Sequence, residues 1–156
     1  MRIALLLPAL LAGVLAGAPL SMPVHAADDR PEVAPQDSDL AGGRAAIAAQ
    51  NWKSAIDSFN RLAAREPKNA DAQNLLGFAW RKSGNLDMAF KHYNEALRLD
   101  PSHRGAHEYI GEAYLMANNL PKAEEHLAAI DKLCFFSCAE FRDLRQAIAD
   151  YKRTRK

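Results

Sequence analysis

Cys134 and Cys138, together with the histidines at 92, 103, 107 and 126, are the residues of this 156-residue chain whose types and spacing suggest chemistry. The two cysteines flank Phe135-Phe136-Ser137. In an oxidising compartment such a pair closes a disulfide. On a straight helix, however, residues four apart hold their Cβ atoms too far apart for good bridge geometry. A disulfide at Cys134 and Cys138 therefore predicts a broken or turned segment between helices, and a bridge so short fixes an angle more than it restricts the unfolded chain. Two rival uses remain open. One is a thiol-redox pair, which lacks the Cys-x2-Cys spacing and a thioredoxin-like strand pattern. The other is a soft-metal site for copper, with His126 as third ligand.

His103 and His107 are four apart, and Glu108 follows the second rather than the first, which is not the zinc-protease pattern. His92 and His126 are expected on an exposed convex surface. The chain has no nucleophile elbow, phosphate-binding glycine loop or dinucleotide fingerprint. The expectation is a non-enzymatic protein with no catalytic residues, no resident metal and no cofactor.

Composition narrows the classes further. Lys and Arg number 20 against 19 Asp and Glu, with 49% hydrophobic residues. This length suits one modest domain, and the balance of charge argues against nucleic acid as a partner. Two cysteines are too few for a disulfide scaffold or a four-cysteine zinc site. At the N-terminus, Arg2 precedes an uncharged run from Ile3 to Leu20, and Val24 and Ala26 suit signal-peptidase cleavage after Ala26. Residues 1–26 are expected to be a signal peptide and the mature protein to be soluble in a bacterial periplasm. Residues 27–38 are acidic, contain Pro31 and Pro35, and have too little apolar surface to offset their ordering entropy. They are read as a flexible leader. The four cations of Tyr151–Lys156 are read as a solubilising tail, without membrane contact.

The elements that must position these residues repeat. Ala55, Ala89 and Ala123 are 34 residues apart, as are Phe59, Tyr93 and Leu127, and Trp52, Leu86 and Leu120. Leu62, Ala96 and Ile130 keep the same step, Pro67 returns as Pro101, and Leu76-Gly77 returns as Ile110-Gly111. A period of this size marks stacked supersecondary units. Leu75, Leu76, Ala79 and Trp80 form one helical stripe, and Leu86, Ala89, Phe90, Tyr93, Ala96 and Leu97 form a second. Between them Gly84 suits the left-handed turn that closes the first helix, and Asn85 caps the next. Asn118 takes the Gly84 position one unit on.

Gln73, Leu76, Gly77, Trp80, Ala89, Tyr93 and Pro101 resemble the tetratricopeptide repeat, in which Trp, Leu-Gly, Tyr, Ala, Phe and Pro recur at set positions. A further unit offers His107, Ile110, Gly111, Tyr114, Ala123 and Leu127, with Phe135 in place of proline. The first keeps Ala55, Phe59 and Pro67, with Gly42-Gly43 at the Leu-Gly position. The resemblance implies an all-α solenoid of about three helix pairs over residues 39–137. A capping helix and basic tail occupy 138–156, with Phe141, Leu144, Ile148 and Tyr151 on its buried face.

The resemblance also implies a concave groove lined by the first helix of each unit. Its residues are expected to be Leu40, Arg44 and Ile47, then Asn74, Phe78 and Arg81, then Glu108, Glu112, Leu115 and Met116. Such a mixed face suits a peptide or helix segment of another protein. Glu108 and Glu112 disfavour a ligand held by its terminal carboxylate. Self-association is the second kind of partnership this face allows.

Overall fold

The computed structural model describes residues 35–155, with side chains from Ser38 onward. The expected signal peptide and most of the expected leader lie outside the described residues. Within them the chain forms seven α-helices: α1 (Pro35–Ala48), α2 (Trp52–Arg65), α3 (Ala70–Lys82), α4 (Leu86–Leu99), α5 (Arg104–Met116), α6 (Leu120–Leu133) and α7 (Ala139–Thr154). No described helix is long and apolar enough to cross a membrane.

Helix boundaries follow the 34-residue period. Asn51, Asn85 and Asn119 each accept a backbone N–H three residues on, capping α2, α4 and α6. Asn69 and His103 do the same for α3 and α5. The turns inside the three units place Gln50, Gly84 and Asn118 at φ of 54°, 90° and 60°. Gly84 adopts that geometry without Cβ strain, and Asn tolerates it better than most residues. Pro121 sits in the first turn of α6, where its missing N–H removes no helical bond.

Each helix packs on the next, and α3 also packs on α5 and α5 on α7. The odd-numbered helices therefore form an inner row and α7 takes the place of a fourth inner helix. Three apolar clusters run along the stack. Trp80 touches the first two in order and Tyr114 the last two, so no unit has a private core.

Three glycines are sockets. A Cβ on Gly43 would lie 2.3 Å from the Phe59 ring, and one on Gly77 would lie 2.4 Å from the Tyr93 ring. By the repeat, Gly111 should receive Leu127. It receives Leu144 of α7 instead, whose Cδ2 would be 2.7 Å from an added Cβ. Leu127 is shorter than the aromatic residues it replaces and is only half-buried, so the capping helix supplies the missing knob.

Helix α1 corrects the leader's boundary. It begins at Pro35, so residues 35–38 are helical rather than part of a flexible leader. Just inside it Asp39 is buried and accepts the Arg61 Nε–H at 2.9 Å, with Arg65 as its second cation. The hydrogen bond from Arg65, aided by Arg61, holds the Asp39 carboxyl below the usual carboxylate range. Composition alone misses this, because both partners lie on the next helix.

Candidate functional site

Positions 40, 74 and 108 are equivalent along the repeat, as are 44, 78 and 112, and 47, 81 and 115. The fold brings the three sets onto the inner row with unequal exposure. Leu40 and Ile47 are half-buried against the first core cluster, whereas Arg44 is exposed. Asn74 and Arg81 are buried, while Phe78, Glu108 and Glu112 are half-buried. Met116 is 50% exposed. Leu115 is a correction: it packs in the core with Ile130, Leu144 and Ile148 and does not face a groove. The third position of each set falls on the flank where the inner helix meets its neighbours, so Ile47 and Arg81 are drawn inward as well.

Arg81 organises the middle of the face. Its Nη1 lies 2.7 Å from Glu112 Oε2, and its Nε–H donates to the Tyr93 hydroxyl at 3.2 Å. The guanidinium carbon is 5.5 Å from the Phe78 ring centre and 5.6 Å from that of Tyr109, within cation–π range. Phe78 in turn lies 5.2 Å from Tyr109 and 6.5 Å from Trp52, centre to centre. Burial pushes the Tyr93 phenol well above its ordinary value, so it stays protonated.

The α5–α7 end is acidic. Burial, then the charges of Glu112, Asp143 and Glu140, raise Glu108 to about 7. Glu140 has Arg104 at 3.6 Å and Glu112 has Arg81. Asp143 and Glu140 come from α7 and carry no repeat signal, so sequence reasoning did not include them. Trp52 and Tyr109 were equally missed as site residues; the repeat positions of Tyr109, beside Glu108, were the available clue.

The histidines also differ from expectation. His92 and His126 are half-buried rather than on an exposed surface, and each faces the preceding inner helix. His92 Nδ1 lies 2.8 Å from Gln73 Oε1, and His126 Nδ1 lies 2.8 Å from His107 Nδ1. These are the same pair of repeat positions, tying the two helices of each unit. His107 Nε2 also donates to the Pro101 carbonyl, since that oxygen can only accept. The Nδ1···Nδ1 bond holds a single proton, so double protonation of the pair breaks it. His103, rather than facing His107 for a metal, caps α5 and bonds Asp71.

A pH effect follows from the pair. Burial and the neighbouring His107 depress His126 to about 4. Between pH 6.5 and 4 the unfolded chain takes up a proton that the folded chain refuses, so stability falls as pH drops through that window. Discounted for partial exposure, His126 accounts for a loss of about 1 kcal/mol between pH 7 and pH 5. Urea titrations at both values should show the loss shrinking by that amount in His126→Gln; an unchanged difference rejects the assignment.

Cys134 and Cys138 lie where α6 ends and α7 begins. Their Cα atoms are 5.9 Å apart and their sulfurs are at bonding distance, 2.00 Å. The segment is non-helical, as a bridge requires. Phe135 and Phe136, at its tip, are 95% and 82% exposed. His126 is turned toward His107, so the copper ligand set of two cysteines and this histidine is not assembled. Among the described residues no three His, Cys, Asp or Glu side chains are grouped to hold a metal ion.

Two family models described as tetratricopeptide repeat match residues 40–103 and 81–148. No curated protein sequence gives a match. Among solved structures, the type III secretion translocator chaperone SycD of Yersinia enterocolitica is similar with a TM-score of 0.69 at 16% identity, covering 82% of this chain and 99% of that one. The TPR domain of Sgt2 from Aspergillus fumigatus has a TM-score of 0.68 at 20% identity, covering 78% and 80%. The second TPR domain of human RPAP3, solved in complex with an HSP70 peptide, has a TM-score of 0.66 at 19% identity, covering 76% and 95%. At these identities the likeness establishes the fold.

Proposed function

The chain belongs to the tetratricopeptide-repeat family, and from that premise we propose that it is a non-enzymatic adaptor holding a peptide or helical segment of another protein along its inner face. TPR folds mediate contact between proteins. The observation that carries the reading here is the fixed centre of the face. Phe78 is half-exposed between Trp52 and Tyr109, with Arg81 locked behind it by Glu112 and Tyr93. A receptor already ordered in this way loses little freedom on binding.

The chemistry of the face selects the segment. Arg81 is committed to Glu112, and Glu108 adds negative charge beside it, so a free terminal carboxylate finds no cationic clamp in the centre. An apolar side chain on Phe78, flanked by residues that match Arg44 at one end and the acidic α5–α7 end at the other, fits better. The Cys134–Cys138 bridge serves to set the angle at which α7 meets α5 and α6. Export to the periplasm is part of the proposal and rests on the sequence of residues 1–27.

Photo-crosslinking amino acids at Arg44 and Met116 test the reading, with Asn94 on α4 and Phe135 as comparison positions. The expected result is one common protein captured from both inner positions and from neither comparison position. Capture from Phe135 with none from Arg44 or Met116 would place the function on the wrong surface. Sedimentation across a concentration series separates a foreign partner from a second copy of this chain.

A further inference from the structure

The Cys134–Cys138 bridge joins two helix ends of opposite polarity. Cys134 follows the carbonyl end of α6, and its backbone N–H donates to the Ile130 carbonyl at 3.0 Å. Cys138 stands at the amide end of α7, where its carbonyl accepts the Arg142 N–H at 3.2 Å. The helix macrodipole favours negative charge at an N-terminus and disfavours it at a C-terminus. Once the bridge opens, a thiolate is therefore favoured at Cys138 and disfavoured at Cys134.

Local contacts sharpen the difference. Asn51, Asn69, Asn85, His103 and Asn119 each place a side-chain acceptor on the first turn of their helix, whereas no side chain caps α7. The first turn of α7 thus keeps amide donors that a Cys138 thiolate can use. The Arg142 guanidinium lies beside the same loop, donating from Nη1 to the Ser137 carbonyl at 3.1 Å. Glu140, the acidic residue of that first turn, has Arg104 at 3.6 Å. At the other end, Lys132 in the last turn of α6 is exposed and follows the exposed Asp131.

The bridge is also reachable, and α7 has other attachments. Both cysteines are half-buried, and the loop between them carries the exposed Phe135 and Phe136. Leu144 and Ile148 hold α7 in the core whether the bridge is closed or open.

We infer that the bridge is a directional site of thiol–disulfide exchange with a protein dithiol. The dithiol's first thiolate attacks Cys134 Sγ, the bond between Cys134 and Cys138 breaks, and Cys138 leaves as a thiolate that takes a proton from solvent. The dithiol's second thiol, losing its proton, then attacks its own sulfur in the mixed disulfide and displaces Cys134, which is protonated in turn. Two electrons pass to this chain, which ends with two thiols, and the partner ends with a disulfide. Run backwards, the same steps close the bridge. The dithiol is separate from the segment held along the inner face, so this activity goes beyond the adaptor reading.

The probes are glutathione and dithiothreitol, applied to the oxidised chain. Mixed disulfides formed with glutathione are trapped by N-ethylmaleimide and located by fragment mass spectrometry. Glutathione on Cys134 with maleimide on Cys138 is expected to outnumber the reverse by about fivefold, as opposite helix ends warrant. In concentrated urea, where both helices are lost, the two arrangements should be equal. Arg142→Gln should shrink the preference in the folded chain. Iodoacetamide should alkylate Cys138 in Cys134→Ser about fivefold faster than Cys134 in Cys138→Ser; should either variant fail to fold, the glutathione map of the parent chain stands by itself. Dithiothreitol should open the bridge in the folded chain at least as fast as in urea and leave the helical circular dichroism in place. Equal trapping in the folded chain, an excess of glutathione on Cys138, or a bridge that dithiothreitol opens only in urea overturns the site and leaves a structural staple.

Discussion

Gly77→Val lowers the unfolding free energy by about 3 kcal/mol or more, while Gly42→Ala leaves it unchanged or raises it by up to about 1 kcal/mol. Both glycines are interior helix positions, where alanine is intrinsically better by about that last amount. What separates them is the space above each Cα. At Gly42 an added Cβ meets only Ser58 Oγ, at an ordinary 3.7 Å. At Gly77 the first added carbon already stands 2.4 Å from Cδ1 of Tyr93, whose ring is fully buried and has nowhere to move. Valine adds two further methyl groups to that collision. The effect is large against a whole-domain stability of roughly 5–15 kcal/mol. Chemical denaturation followed by circular dichroism reads it. A Gly77→Val chain as stable as the parent would mean that α3 and α4 do not meet at this socket. The same substitution should weaken partner binding, because Tyr93 also holds Arg81.

Arg81→Met lowers stability by about 2–3 kcal/mol at pH 8, and by less at pH 5.5. The loss is larger than for an exposed pair because the side chain of Arg81 is 8% exposed and that of Glu112 27%. Removing one member of a buried pair strands the other. Methionine keeps the stem and its packing on Phe78 and Tyr109, so the charge is what the substitution tests. The pH dependence has a sign. Glu108 sits at about 7 in the folded chain, above its ordinary value. As pH rises from about 4.5 to 7 the unfolded chain releases that proton first, so this group lowers stability across the interval. Arg81 opposes the shift, and its loss carries Glu108 further upward. Below the interval the carboxyl is protonated in both states and the penalty vanishes. Adding Glu112→Gln to Arg81→Met should restore about 2 kcal/mol, measured as a double-mutant cycle at pH 8. A cycle with no coupling, or a loss independent of pH, would show that Arg81 acts by bulk alone.

Much of this protein was legible from spacing. The recurrence of Ala55, Ala89 and Ala123, and of Phe59 and Tyr93, located the helices and their buried sides, because an interface between identical turns must repeat with the chain. The same holds for the caps at Asn51, Asn85 and Asn119, which satisfy backbone groups only three residues away. Local hydrogen bonds and helical periodicity depend on near neighbours, and a single sequence displays those.

Other features depended on residues that meet only in space. Leu144 rather than Leu127 fills the socket at Gly111, and no period relates α7 to the repeats. Asp39, which directly follows a segment whose composition reads as disordered, is held by Arg61 and Arg65 on the next helix. Leu115 went to the core because α7 covers it, and Glu108 was raised because Asp143 and Glu140 approach from α7. The linear chain thus determined the repeating unit, its caps and its inner row. The tertiary structure decided which inner residues remain exposed and how they are charged, since burial and through-space charge depend on the distance between helices and not on their separation in sequence.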